Sequence, residues 1–212
     1  MKIQILIDNR SSWIIPYGLK LVREIEQLKP ESEITITHEH KEITKGDLLI
    51  MLSCEKIFKK LELNKFNLVV HESDLPKGKG WSPLTWQILE GKNTIPITLF
   101  EAAESVDSGK IYFKDKIEFD GTELVDELRA KQGEKTVELI LNFVKKFPSI
   151  EGQEQSGEST FYEKRTSKNS ELNIDKTIRE QFNLLRVCDN EKYPAFFILD
   201  GKKYKISIEH FH

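Results

Sequence analysis

Four short apolar runs, each ending in polar or turn-forming residues, limit what this chain can fold into: Lys2–Asp8, Glu33–Thr37, Asp47–Leu52 and Asn67–His71. Runs of this length bounded by such residues read as strands. The stretch between the first two is helical in pattern. Ile14, Gly18, Leu21, Val22, Ile25 and Leu28 recur at three- and four-residue steps, Pro16 suits the first turn, and Pro30 stands beyond the end. Ser11 or Ser12 can cap the start. A polar connection joins the second and third runs, and a short helix over Glu55–Leu63 is expected between the third and fourth. Strand, helix, strand, helix, strand is the rhythm of a parallel α/β sheet whose ligand site lies at the carboxyl ends of its strands. His71 stands at such an end.

Further along, Pro83–Leu89 reads as a helix closed by Gly91, and Ile95–Phe100 as another strand. A polar loop, Ala102–Gly109, leads to Lys110–Ile117, whose apolar alternation predicts a more exposed strand. Thr122–Phe147 is a long helical stretch in which Gly133 marks a break between two helices. The composition then changes at Glu151–Ser159, which has no apolar residue and reads as a linker or extended arm. Beyond it, Asp175 can cap a helix reaching Val187, and Ala195–Leu199 with Tyr204–Ile208 form a hairpin through Asp200 and Gly201. The expected division is a catalytic domain over residues 1–150 and a linker with a small C-terminal subdomain over 151–212.

Charge and composition remove several classes of function. Thirty-two basic against 35 acidic side chains give a net charge of -3 over 212 residues, so a nucleic-acid partner is disfavoured and no attraction to anionic membranes is expected. With no apolar stretch long enough to span a bilayer and a strand at the N-terminus, the expected location is the cytoplasm. Cys54 and Cys188 are too few for a disulfide framework and read as reduced thiols. His38 and His40 alternate in a way that could place both on one strand face, but no third ligand accompanies them, and His210 and His212 sit at the end of the chain. No metal is expected. A G-x-G-x-x-G loop is missing near Ser11, which leaves a nicotinamide cofactor without support.

The residues that suggest chemistry are His71 and Asp107, separated by 107 − 71 = 36 positions and each placed in a loop after a strand-like run. A carboxylate beside an imidazole orients it and fixes its tautomer, and the pair can then move protons near neutral pH. The surrounding order is His71-x-Ser73-x-Leu75-Pro76, then Gly80, Pro83 and Gly91, then Thr98, then Val106-Asp107-x-Gly109. It resembles the folate-dependent formyltransferase superfamily, which carries an Asn-x-His-x-Ser-Leu-Leu-Pro loop and a later Asp-x-Gly. Phe161–Arg165, Gln181–Arg186 and Tyr193–Phe196 are similar to the tail of its nucleotide-sugar and methionyl-tRNA branches.

The resemblance implies a Rossmann-like fold with a mostly parallel sheet and a small C-terminal helix and hairpin. It also implies transfer of a formyl group from 10-formyltetrahydrofolate to a primary amine of a small acceptor, with a nucleotide-linked amino sugar favoured, by an enzyme that could form a homodimer. His71 would move protons and help stabilise the oxyanion, with Asp107 orienting it or passing protons through a water. Cys54, Lys56 and Ile57 on one side, and Ala103 and Glu104 on the other, would hold the folate. Lys77, Lys79 and Trp81 would meet the acceptor. The family's asparagine two residues before the histidine is Val69 here, and valine donates no hydrogen bond. Ser53, Cys54, Ser73 and Thr85 are the candidates to replace it. Hydrolysis of the formyl donor, or ligand binding without catalysis, are the alternatives.

Overall fold

The computed structural model describes residues 1–211. A six-stranded sheet forms its centre. In chain order its strands are β1 (Lys2–Leu6), β2 (Glu33–Thr37), β3 (Gly46–Met51), β4 (Asn64–His71), β6 (Thr94–Glu101) and β7 (Ile111–Glu118); a short strand β5 (Lys79–Gly80) lies outside it. The spatial order is β2-β1-β3-β4-β6-β7. The first four strands pair in parallel, whereas β6 and β7 are added antiparallel. The expected α/β fold with a mostly parallel sheet is therefore present. Strand order reverses between β1 and β3, the place where open α/β sheets form a crevice.

Helices α1 (Ile15–Leu28), α2 (Pro83–Leu89) and α3 (Val125–Lys146) follow β1, β5 and β7. Ile3, Ile5, Ile50, Leu68 and Ile97 from the sheet pack with Leu21 and Ile25 of α1 and Ile140, Phe143 and Val144 of α3 in one main core. Gly133 does not break α3, which runs without interruption. It is the contact that lets α1 approach, since a Cβ there would stand 2.5 Å from the ring of Tyr17. Neither Ser11 nor Ser12 caps α1; Ile14 occupies the N-cap without a side-chain bond.

No α-helix forms over Glu55–Leu63. Only a single 3-10 turn, Leu61–Leu63, precedes β4. The cause is local: the Asp8 carboxylate accepts hydrogen bonds from the amides of Glu55 at 2.8 Å and Lys56 at 2.9 Å, which pins the segment to the end of β1. A helix of nine residues gains too little from its own hydrogen bonds to compete. The Asp8 carboxylate also meets His40 Nε2 at 3.1 Å. Because β2 ends at Thr37, His38 and His40 do not alternate on a strand, and His38 Nδ1 bonds the Ile7 carbonyl instead. His210 pairs with Glu127 at 2.9 Å, and His212 lies outside the described residues.

The segment expected to be a linker is docked. Gln153 bridges Ile111 at the start of β7, and strand β8 (Phe161–Tyr162) pairs in parallel with β5. Helix α4 (Ile178–Arg186) is capped by Thr177 and not by Asp175, with the Thr177 hydroxyl accepting from the Glu180 amide. Strands β9 (Ala195–Leu199) and β10 (Lys202–Ile206) form the expected hairpin, with Asp200 and Gly201 both at positive φ, as a two-residue turn requires. Arg186 ties this part to the core. Its buried guanidinium donates to Asn93 Oδ1 at 2.8 Å and lies 3.6 Å from the Glu123 carboxylate.

Candidate active site

His71 is the last residue of β4 and is buried, with the Phe100 ring edge-on at 6.5 Å between centroids. Its Nε2 lies 2.9 Å from the Gly78 carbonyl. A carbonyl only accepts, so Nε2 carries the proton and Nδ1 is the basic nitrogen of the neutral ring. The nearest Asp107 oxygen is 3.7 Å from Nε2. The structure thus brings together the two residues that the sequence pairs, but the carbonyl, and not Asp107, makes the orienting hydrogen bond.

Backbone geometry holds both groups. The amide of Gly80 donates to Asp107 Oδ2 at 2.9 Å, and Gly80 itself is at φ +99 with the Tyr162 carbonyl 2.4 Å from where a Cβ would be. Only glycine permits that approach. The turn carrying Gly78 is tied back by Thr98 Oγ1 donating to the Ser73 carbonyl and by Gln87 donating to the Glu72 carbonyl, at 2.7 and 2.6 Å. Thr160 completes it by accepting from the Gly78 amide at 2.8 Å. Asp107 has φ +51, a left-handed backbone, and Gln155 donates to its carbonyl.

A cleft of about 640 Å³ opens over the carboxyl ends of β1, β3 and β4. His71 and Asp107 line it, as do Cys54, Lys56, Ile57, Ala103 and Glu104, and Trp81 stands at its rim with the Lys164 ammonium 4.5 Å above its ring. Lys77 and Lys79 are not among the lining residues. The turn points them elsewhere: Lys79 is buried, with its ammonium 5.9 Å from the Phe161 ring.

Val69 also lines the cleft, packed with Cys54, Phe58 and Ala102 on one face of the sheet. Asn67 is turned away, its amide nitrogen donating to the Leu61 carbonyl at 3.0 Å. Of the four residues considered as substitute donors, Ser73 does not reach the cleft. The Cys54 thiol donates to the Leu6 carbonyl, and burial, then the Asp8 charge, push it up to about 12. Ser53 and Thr85 line the cleft.

The sequence reading missed Glu72, Arg129, Gln132 and Arg165, all of which line the same cleft. Glu72 belongs to the stretch that drew attention to His71, but nothing in sequence reveals that it is buried. Burial raises its carboxyl, against the nearby His71 ring and the Gln132 side chain, which pull it down. Arg129 and Gln132 are three apart on one helix, a spacing that puts them on a common face and could have been noticed.

Comparison with known proteins bears on the family and the fold. A methionyl-tRNA formyltransferase of Malacoplasma penetrans is 27% identical over 153 residues, covering 69% of this chain and 47% of that protein. A similar enzyme of Lactobacillus johnsonii is covered over 44% of its length, so the chain spans about half of these relatives. Among solved structures, a methionyl-tRNA formyltransferase from Clostridium thermocellum superposes with a TM-score of 0.84 at 24% identity, covering 100% of this chain and 94% of that one. A sugar N-formyltransferase from a Shewanella species gives a TM-score of 0.71 at 15% identity, covering 100% and 98%; at such identities these likenesses speak for the fold. Residues 20–144, more than half of the chain, match the family described as formyl transferase, and the chain belongs to that family.

Proposed function

We propose that this protein is a cytoplasmic N-formyltransferase that moves a formyl group from 10-formyltetrahydrofolate to a primary amine on a small acceptor, a nucleotide-linked amino sugar. The observation that carries this reading is the 3.7 Å approach of His71 and Asp107 within a cleft of about 640 Å³. On this reading residues 1–150 hold the catalytic pair, and 151–212 brace it and border the opening of the cleft.

The cleft suits a flat heterocyclic donor. Met51, Phe58, Val69 and Phe100 offer apolar side chains, and the loops through Cys54–Ile57 and Ala102–Glu104 offer irregular backbone with hydrogen-bonding groups. When bound, the donor would supply a formyl carbon open to attack by an amine; the carbon's bond to N10 would break as the new C–N bond stays, and the proton given up by the amine would end on N10 of the departing tetrahydrofolate. His71 takes the proton released by the attacking amine at Nδ1, while the Gly78 carbonyl holds the ring in that tautomer. Asp107 is close enough to balance the charge on the ring once the proton has arrived.

The acceptor reading rests on three features. The chain has no excess of positive charge to attract a long polyanion. Trp81, 40% exposed at the rim, offers a surface for a base, and Lys56, Lys164 and Lys192 border the same opening, where a diphosphate would sit.

Purified protein given 10-formyltetrahydrofolate should release tetrahydrofolate only when an amino-sugar nucleotide is added, with the formylated sugar seen by mass spectrometry. Formate release without an acceptor would replace transfer by hydrolysis. A second reading, ligand binding without catalysis, is favoured by Val69, which cannot give the hydrogen bond that the family's asparagine would supply. Normal donor binding with no turnover across amine acceptors would establish that reading instead.

A further inference from the structure

The cleft has two sides, divided by the end of β4. Val69 packs with Cys54, Phe58 and Ala102 on one face, whereas Val70 packs against the main core on the other. Side chains alternate along a strand, so His71, the last residue of β4, belongs with the first side. Glu72 lies in the bend just after the strand, and its carboxyl meets the Gln132 side chain on the second. There Glu72 shares the cleft with Arg129 and Gln132 of α3.

Glu72 is buried, with 8% of its surface exposed. The Gln132 side chain meets its carboxyl, but no lysine or arginine pairs with it among the described residues. Nearby Arg129 is already taken, with Asp189 2.8 Å from its guanidinium. Arg165 gives a hydrogen bond to the Asn169 carbonyl. A buried carboxyl without a lysine or arginine partner is costly to ionise, and one that lines a cleft is a candidate for ligand recognition. A primary-amine acceptor reaches this cleft mainly as its ammonium at neutral pH.

We propose that Glu72 is the specificity-determining residue for the acceptor: its carboxylate, held by Gln132, receives the acceptor's ammonium group on the α3 side of the cleft and selects amines over alcohols. This rests on the transferase reading for the identity of the ligand. It does not rest on turnover, because recognition can be measured in the absence of the formyl donor. The ammonium would lie against the carboxylate until it gives up one proton to solvent and the free amine attacks; the second proton, released on attack, is the one His71 takes. Raised by burial, the Glu72 carboxyl would be drawn back towards its charged form by the bound cation.

The probes are a thymidine-diphosphate-linked amino sugar and the same compound with a hydroxyl in place of the amine, titrated calorimetrically into the full chain. Wild type should bind the amine roughly tenfold or more tightly than the alcohol, the size expected for one charged hydrogen bond. Glu72→Gln should erase that preference while leaving the alcohol's affinity unchanged, and Glu72→Asp should restore part of it. In turnover, Glu72→Gln should raise KM for the amine more than it lowers kcat. No preference in the wild type, a preference that survives Glu72→Gln, or an equal loss for both ligands would overturn the proposal. Preference for the amine without any formyl transfer would leave it standing and refute the transferase reading instead.

Discussion

The Gln155 side chain donates two hydrogen bonds into the loop that carries Asp107, to the Asp107 carbonyl at 2.9 Å and the Gly109 carbonyl at 2.8 Å. A segment with the composition of a linker thus holds the candidate acid in its left-handed conformation. Gln155→Ala should lower kcat by roughly ten- to a hundredfold through displacement of the carboxylate, as small misplacements in active sites do. Steady-state rates measured beside the melting temperature will check this, with the latter expected to change little.

The resemblance puts Val69 where the family carries a side-chain donor. Introducing an amide there should supply the missing hydrogen bond, and Val69→Asn should raise the single-turnover rate by roughly tenfold or more, within the range lost when such donors are removed. Donor affinity, measured by fluorescence titration, should stay the same.

The close approach of α1 and α3 depends on Gly133. Gly133→Ala adds about 1 kcal/mol of helix propensity but drives a methyl group into Tyr17, so it should destabilise the protein by roughly 1–3 kcal/mol. Urea unfolding will measure it. In a Tyr17→Ala background the same change should cost less or turn favourable, because the obstructing ring is gone.

Glu123 links α3 to the C-terminal region. Burial pushes its carboxyl up, but Lys131 and the amides of Asp120 and Gly121 outweigh that and hold it at about 2, below the ordinary 4.5. A depressed carboxyl contributes stability that is complete above its unfolded value and is lost as pH falls through the folded one. Glu123→Gln should therefore cost about 3 kcal/mol near neutral pH and progressively less as the pH drops from roughly 4.5 towards 2. Denaturant curves across that window will show the convergence.

Much of the fold was legible because hydrophobic periodicity is local. β2 and α2 fall where the sequence places them, and β1, β3, β4, β6 and β7 differ only at their ends. What was hidden depended on distant partners. Asp8 turns Glu55–Leu63 into a pinned loop, Tyr17 gives Gly133 a packing role, and Gln155 makes an apparent linker into a brace. The same holds at the site. The His71 motif and the spacing to Asp107 could be read directly, whereas Glu72 gained meaning only once burial and the two sides of β4 were known.

The claim on which the rest depends is that His71 and Asp107 work as a pair in formyl transfer, and a double-mutant cycle tests it most directly. Single-turnover rates should be measured for wild type, His71→Ala, Asp107→Asn and the double variant, with donor binding confirmed in each. If the two act as a unit, each single change should remove nearly as much rate as both together. Losses that simply multiply, or a His71→Ala variant that transfers formyl groups at the wild-type rate, would contradict it.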